Sequence, residues 1–347
     1  MKLSAQQEKR LIGRLLSACG LNSADADTIA SVVCYADMTG VYSHGLSRLI
    51  RYVRQFKSGA LNPDPQFTYK TDTGPVILCD CNNASGLVAI NRAYEKALPR
   101  AKEYGVCVFA GADSANLGCG GFYARRAAED GLLMLLMSNT YPCMAPFGGT
   151  ELMMGTNPII MAAPGEKDVP VLLDVSTSQV AMGKISVFRR EHKPLPDGWA
   201  NDIDGKPTND PEKAYAVTPM GGHKGYGLSM FADILSAVLT GSSFLTQIPP
   251  VEELKPENTG FIMILLDIEK FLPLPEFKAR MGEYSSMIKN SRRREGVKEI
   301  ILPGEPEHVK YAESLKNGIE ISEALLKELD ALTQELGLGT SAMALTE

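Results

Sequence analysis

The chain has 347 residues, 44% hydrophobic and 22% charged, with a formal net charge of −6 at pH 7. This is a globular mix with enough apolar material for one large domain or two. The acidic balance disfavours a nucleic-acid partner, and the one basic cluster, Arg292-Arg293-Arg294, reads as a solvated or anion-contacting turn.

Ser4 and Gln7 form a capping-box pattern ahead of a helical stripe of Leu11, Ile12, Leu15 and Leu16, which Gly20 stops. A second helix is expected from Ser23 to about Thr39. Gly40-Val41-Tyr42 leads into a third, with Leu46, Leu49, Ile50, Val53 and Phe56 as its apolar face and Gly59 as its end. From Pro75 the rhythm changes. Short apolar runs at 76–79, 106–110, 132–137, 159–162, 171–173 and 261–268, most of them bounded by Gly, Pro, Asp or Asn, read as buried strands. Helices are expected at 89–104 and 122–129, and residues 189–213 read as a long loop. The stretch 225–240 is nearly all apolar and predicts a helix buried on most sides. Residues 322–336 predict an amphipathic terminal helix, and the last ten residues are expected to fray. Residues 1–10 lack an apolar h-region and no apolar run reaches membrane-spanning length, so neither a leader nor a membrane partner is expected. Seven cysteines without a CxxC pair fit a reducing cytoplasm.

The chemistry concentrates in Ser43-His44-Gly45-Leu46-Ser47-Arg48, with Tyr52 beyond. On a helix, His44 and Arg48 would share one face, one turn apart. An arginine fork can hold a carboxylate while a neighbouring histidine moves a proton near neutral pH. The alternative is a capped histidine and an arginine on a solvated face. Asn116-Leu117-Gly118-Cys119-Gly120-Gly121 follows a strand and precedes a helix, so it could cradle a phosphate or merely turn tightly. Tyr123 stands where a Rossmann fingerprint needs its third glycine. His223-Lys224-Gly225 opens a helix, where a lysine opposes the helix dipole unless an anion binds; an exposed loop lysine is the alternative. Asp174 and the hydroxyls after it could accept from a ribose or close local turns. No metal-ligand pattern such as HExxH is present, so no metal is expected.

Seven segments together resemble the second type of malate/L-lactate dehydrogenase family over nearly the whole chain. They are Gly40-Val41-Tyr42-Ser43-His44-Gly45, Ala145-Pro146-Phe147-Gly148-Gly149, Leu152-Met153-Met154-Gly155-Thr156-Asn157-Pro158, Asp174-Val175-Ser176-Thr177-Ser178, Gly183-Lys184-Ile185, Gly222-His223-Lys224-Gly225-Tyr226-Gly227 and Leu302-Pro303-Gly304-Glu305. The resemblance implies an α+β chain with a non-Rossmann cofactor domain around a mixed, largely antiparallel sheet, plus a helical domain. The helical part would be residues 1–70 with about 222–258 and 305–347, and the cofactor part 75–221 with about 259–304. It implies an oxidoreductase that uses NAD or NADP on a small 2-hydroxy/2-oxo acid, built as a homodimer.

By position, the resemblance makes His44 the proton carrier, Ser43 its orienting partner and Arg48 the carboxylate clamp. Tyr52, Asn116, Thr156, Thr177 and Ser178 fall on the substrate side. Gly118, Gly120, Gly121, Asp174, Val175, Ser176, Lys184, His223, Lys224, Gly225, Gly304 and Glu305 fall on the cofactor side. One departure is notable. The family often has a second histidine where this chain has Asn116, which cannot exchange protons near neutral pH. Proton transfer therefore falls to His44. Lys184, near where the imino-acid reductases of the family tend to carry an Asp, favours an oxo acid. The alternatives are a cyclic-imine or ureido-acid oxidoreductase, and a non-redox protein that binds small acids.

Overall fold

The computed structural model describes residues 1–347 apart from the side chain of Asp168. β1 (Lys2–Leu3) leads into α1 (Ala5–Ser17), where Ser4 and Gln7 close the capping box. The Leu11, Ile12, Leu15 and Leu16 stripe buries α1 against α2 (Ser23–Met38), and α3 (Leu46–Ser58) ends at Gly59 with φ 77°. Next come β2 (Thr68–Thr73), β3 (Val76–Asp80), α4 (Gly86–Tyr104), β4 (Val106–Ser114), α5 (Gly120–Glu129), β5 (Leu132–Ser138), β6 (Ile159–Ala163) and β7 (Val171–Val175). After them lie α6 (Met182–Arg190), the two-residue strands β8 (Ala200–Asn201), β9 (Pro207–Thr208) and β10 (Ala216–Val217), and α7 (His223–Asp233). The chain closes with β11 (Thr259–Asp267), α8 (Leu274–Lys289), α9 (Glu305–Asn317), β12 (Ile319–Glu320) and α10 (Glu323–Glu335).

Seven strands form the main sheet in the order β2-β3-β4-β11-β5-β6-β7. Only β3 and β4 run parallel; every other pair is antiparallel. The central strands are almost wholly apolar because α4, α5 and the helices beyond them cover the sheet. The fold is thus α+β with a mixed, largely antiparallel sheet, and not a Rossmann sheet. Helices α1–α3 share one continuous core with the sheet, and a smaller core around Met144, Met154, Val180, Ile185 and Val217 supports β8–β10.

Two expectations are corrected. The helix at 225–240 is not buried on most sides: α7 runs into a π-helical turn over Ile234–Val238, with Phe231, Val238 and Leu239 each between 57% and 59% exposed. Only its Gly225, Ser229 and Ala232 side meets the chain; the opposite apolar side has no cover within it. The last ten residues do not fray. Ala342, Leu345 and Thr346 are buried beside α1, where Arg10 Nη1 donates to the Glu347 carbonyl (3.0 Å) and Arg14 Nη1 to that of Ala344 (3.3 Å).

Candidate active site

His44 ends a 3-10 turn (Tyr42–His44), and Gly45 is extended (φ −85°, ψ −153°) as the cap of α3. The helix expected to carry both His44 and Arg48 is therefore broken between them. The reason is Asp37. Its carboxylate accepts the Leu46 N–H at 2.5 Å and occupies the space a Cβ on residue 45 would need, so only glycine lets the chain turn there. The two side chains still feel each other. Burial first, and the Arg48 charge second, push the His44 pKa down to about 4, so the ring is neutral at pH 7. Ser43 Oγ meets His44 Nδ1 at 3.0 Å, which leaves Nε2 for a ligand.

Beside this turn, polar groups are buried without partners. Arg48 Nε, Tyr52 Oη and Thr140 Oγ1 find no partner at full hydrogen-bond geometry, although the Tyr52 hydroxyl lies close enough to the Arg48 guanidinium for the two to interact. Unpaired buried donors cost on the order of 1–3 kcal/mol each, so such a group marks where a ligand supplies the missing acceptor. Arg51, one turn further along α3, is already paired with the buried Glu257 at 2.6 Å.

A cleft of about 810 Å³ opens from His44 and Thr140; Arg48 and Tyr52, though expected at the site, do not line it. It is lined by Ser43, His44, Asn116 and Thr156, by Gly118 and Gly121, by Asp174, Val175, Ser176 and Ser178, and by Lys184 and Gly304. The chain thus brings most of the expected site residues to one cavity. Thr177 stands behind it, donating its hydroxyl to the Thr156 carbonyl at 2.8 Å. Gly120 packs beneath it, where a Cβ would overlap Ile160. His223 and Lys224 are exposed at the start of α7 and Gly225 is buried against the Met220 backbone; none of the three lines the cleft. Glu305 also lies off it, held by Lys289 Nζ (2.5 Å) and the Leu302 N–H (2.9 Å).

The glycine-rich turn is no ready phosphate cradle. Asp174 Oδ2 already accepts the Gly121 N–H at 2.8 Å, so the start of α5 is capped by a carboxylate from β7. Solvent reaches Asp174 through the cleft, but the protein packed around it pushes its pKa up to about 6, opposed by the Gly121 and Gly120 N–H groups. Residues that sequence reasoning missed complete the walls. Thr140, Gln179, Trp199 and Glu307 line the cleft, and Lys184 Nζ sits 5.3 Å from the centroid of the Trp199 ring. Trp199, the one tryptophan, carried the only signal that could have been read; Thr140 and Gln179 sit in loops without pattern, and Glu307 lies in the first turn of α9, which buries only Ser314 and so carries no stripe.

The family described as malate/L-lactate dehydrogenase matches residues 3–330. The malate dehydrogenase of Pyrococcus horikoshii is 37% identical over 94% of this chain and 93% of its own. Its solved structure superposes with a TM-score of 0.89 at 34% identity, covering 97% of this chain and 96% of that one. The NAD(+) ureidoglycolate dehydrogenase of Escherichia coli O157:H7 is 33% identical over 96% of both chains. The NADP(+) (2R)-3-sulfolactate dehydrogenase of Chromohalobacter salexigens is 34% identical over 95% of this chain and 97% of its own. With the sheet order and the cleft, these likenesses make the chain a member of the malate/L-lactate dehydrogenase family and an NAD(P)-dependent oxidoreductase.

Proposed function

We propose that the protein moves a hydride between nicotinamide and C2 of a small 2-hydroxy/2-oxo acid. The observation that carries this reading is the set of buried, unpartnered donors, Arg48 Nε and Tyr52 Oη, beside the hydrogen-bonded Ser43–His44 pair. A carboxylate on Arg48 would satisfy the orphaned donors, with the Tyr52 and Thr140 hydroxyls as further contacts. The adjacent C2 oxygen then falls to His44. In reduction, protonated His44 gives its proton to that oxygen as C2 gains the hydride. In oxidation, neutral His44 takes the proton from the hydroxyl as C2 loses the hydride. Ser43 on Nδ1 fixes the ring and its tautomer. The nicotinamide, when bound, supplies or accepts the hydride.

The cleft residues fit a dinucleotide. The volume suits one with a small acid beside it. The Thr156 hydroxyl offers a donor, the open Asp174 carboxylate offers an acceptor, and Lys184 on Trp199 offers a positive charge for phosphate, while the Ser176 and Ser178 hydroxyls, which already donate to the Ser178 and Val180 carbonyls, add acceptors. The relatives support the substrate class, since their names state malate, ureidoglycolate and 3-sulfolactate. The apolar side of α7 supports a homodimer, because a second copy would cover Phe231, Val238 and Leu239. Seven unpaired cysteines support a reducing, cytoplasmic setting.

The test is oxidation of NADH and NADPH, followed by absorbance, with oxaloacetate, pyruvate, oxalurate, sulfopyruvate, diketogulonate and a cyclic imine. Turnover with one of the oxo acids is the expected result. Turnover with the imine alone, or none together with no nicotinamide binding, would contradict the reading.

A further inference from the structure

Asn116 is held from three sides. Its backbone N–H donates to Glu257 Oε2 (3.1 Å). Its Oδ1 accepts the Gly118 N–H (3.0 Å). Its carbonyl packs so closely on Gly86, at the start of α4, that a Cβ there would overlap it. Just before it, Ser114 and Thr259 exchange hydroxyl-to-carbonyl bonds at 3.2 Å each, which locks the end of β4 to β11. Because Gly118 N–H is a donor, the amide atom facing it must be Oδ1. The Nδ2 group is then the free end, without a partner among the described residues, on a residue that lines the same cleft as His44.

Glu257 is the hub of this arrangement. It is 7% exposed, and Oε1 accepts both Arg51 Nη2 (2.6 Å) and Gln55 Nε2 (3.0 Å). One carboxylate therefore ties the loop of Asn116 to α3, the helix that carries Arg48 and Tyr52. Nothing in the proton transfer requires Glu257 itself; its bonds set the distance between the carboxylate clamp and the Asn116 amide.

Resting on the function proposed above, we infer that Asn116 Nδ2 is a fixed hydrogen-bond donor to the C2 oxygen of the bound acid, and that Glu257 is the residue that positions it. The amide polarises the carbonyl and supports the negative charge that grows on oxygen as hydride arrives, while His44 alone delivers the proton. A preset donor of this kind costs no reorganisation at the moment of reaction.

The experiment is a double-mutant cycle in the full-length protein, with the oxo acid that the wild type reduces as probe. Asn116→Ala and Asn116→Asp are each expected to lower kcat by about 10²–10³-fold, the loss seen when an oxyanion donor is removed. Nicotinamide binding, read by fluorescence, and melting temperature should stay near wild type. Glu257→Gln should lower kcat in the wild-type background and add nothing in the Asn116→Ala background, since its effect runs through Asn116. If Glu257→Gln does not fold, Gln55→Leu takes its place in the cycle. Wild-type kcat in Asn116→Ala would overturn the donor role, and a Glu257 effect that persists undiminished beside Asn116→Ala would overturn the positioning role. A wild-type protein that binds nicotinamide yet reduces no oxo acid would overturn the underlying reading and this inference with it.

Discussion

His44 is set by its neighbours. Burial and then Arg48 favour the neutral ring, so the free protein holds a base at pH 7. In the proposed mechanism, hydroxy-acid oxidation uses that base. Its kcat/KM should be flat above about pH 4 and fall below it, whereas oxo-acid reduction should lose about tenfold per pH unit above that point, because it needs the protonated ring. Initial rates across pH check both limbs. A substrate carboxylate offsets the Arg48 charge, so the limb in kcat should lie at higher pH than the limb in kcat/KM. His44→Ala should lower kcat by roughly 10²–10⁴-fold with nicotinamide binding intact in calorimetry. Arg48→Lys keeps a charge but loses the fork, and KM for the acid should rise by about tenfold or more while kcat changes less.

At the scale of elements, the decisive feature is the start of α3. Asp37 on α2 supplies the cap that α3 lacks locally, and Gly45 makes room for it. Gly45→Ala should therefore cost about 2–3 kcal/mol from overpacking and a lost cap, read as a fall in Tm of several degrees, with activity falling alongside. The same feature marks the limit of sequence reading. Spacing four puts His44 and Arg48 near each other, as found, but the break between them depends on a carboxylate from another helix. Strands β4, β5 and β11 were legible because neither face is open to solvent, which leaves nearly unbroken apolar runs; β6 and the edge strand β7 were legible as short apolar runs even though Met161 and Asp174 are exposed. β2 was not, because Thr68–Thr73 is a polar edge strand exposed on both faces. α8 buries no residue and so carries no stripe to read. Among the site residues, motif-borne Ser43, His44 and Asp174 were legible. Glu257 was not, because a single acid in a loop has no periodicity, and its role exists only once β11 and α3 have met.

On the scale of the whole molecule, α1 and α2 are joined by two buried carboxyl groups. Glu8 is fully buried, no N–H or hydroxyl reaches it, and it faces Asp37. Burial first, and the Asp37 charge second, push the Glu8 pKa up to about 10, so the pair keeps a proton with Cys34 and Lys9 nearby. The sign follows directly. The folded state holds a proton that the unfolded chain releases above about pH 4.5, so stability falls as pH rises from there towards 10, by on the order of 1 kcal/mol per pH unit. Glu8→Gln removes that titration and should flatten the fall of Tm between pH 6 and pH 9 in about that window. The exposed side of α7 leads to a second expectation at this scale. Phe231→Glu places a charge in the surface that a second copy would bury, and light scattering is expected to find a dimer for the wild type and a monomer for the variant.

The most direct measurement follows the hydride itself. The reduced nicotinamide accepted by the protein is prepared with deuterium on the transferable C4 position and mixed with the preferred oxo acid, and the product is examined by mass spectrometry and NMR. The expected product carries one deuterium on C2 and a hydroxyl proton from solvent, and its formation is slowed by at least about 100-fold in His44→Ala. A product without deuterium on C2, or His44→Ala working at the wild-type rate, would contradict the account.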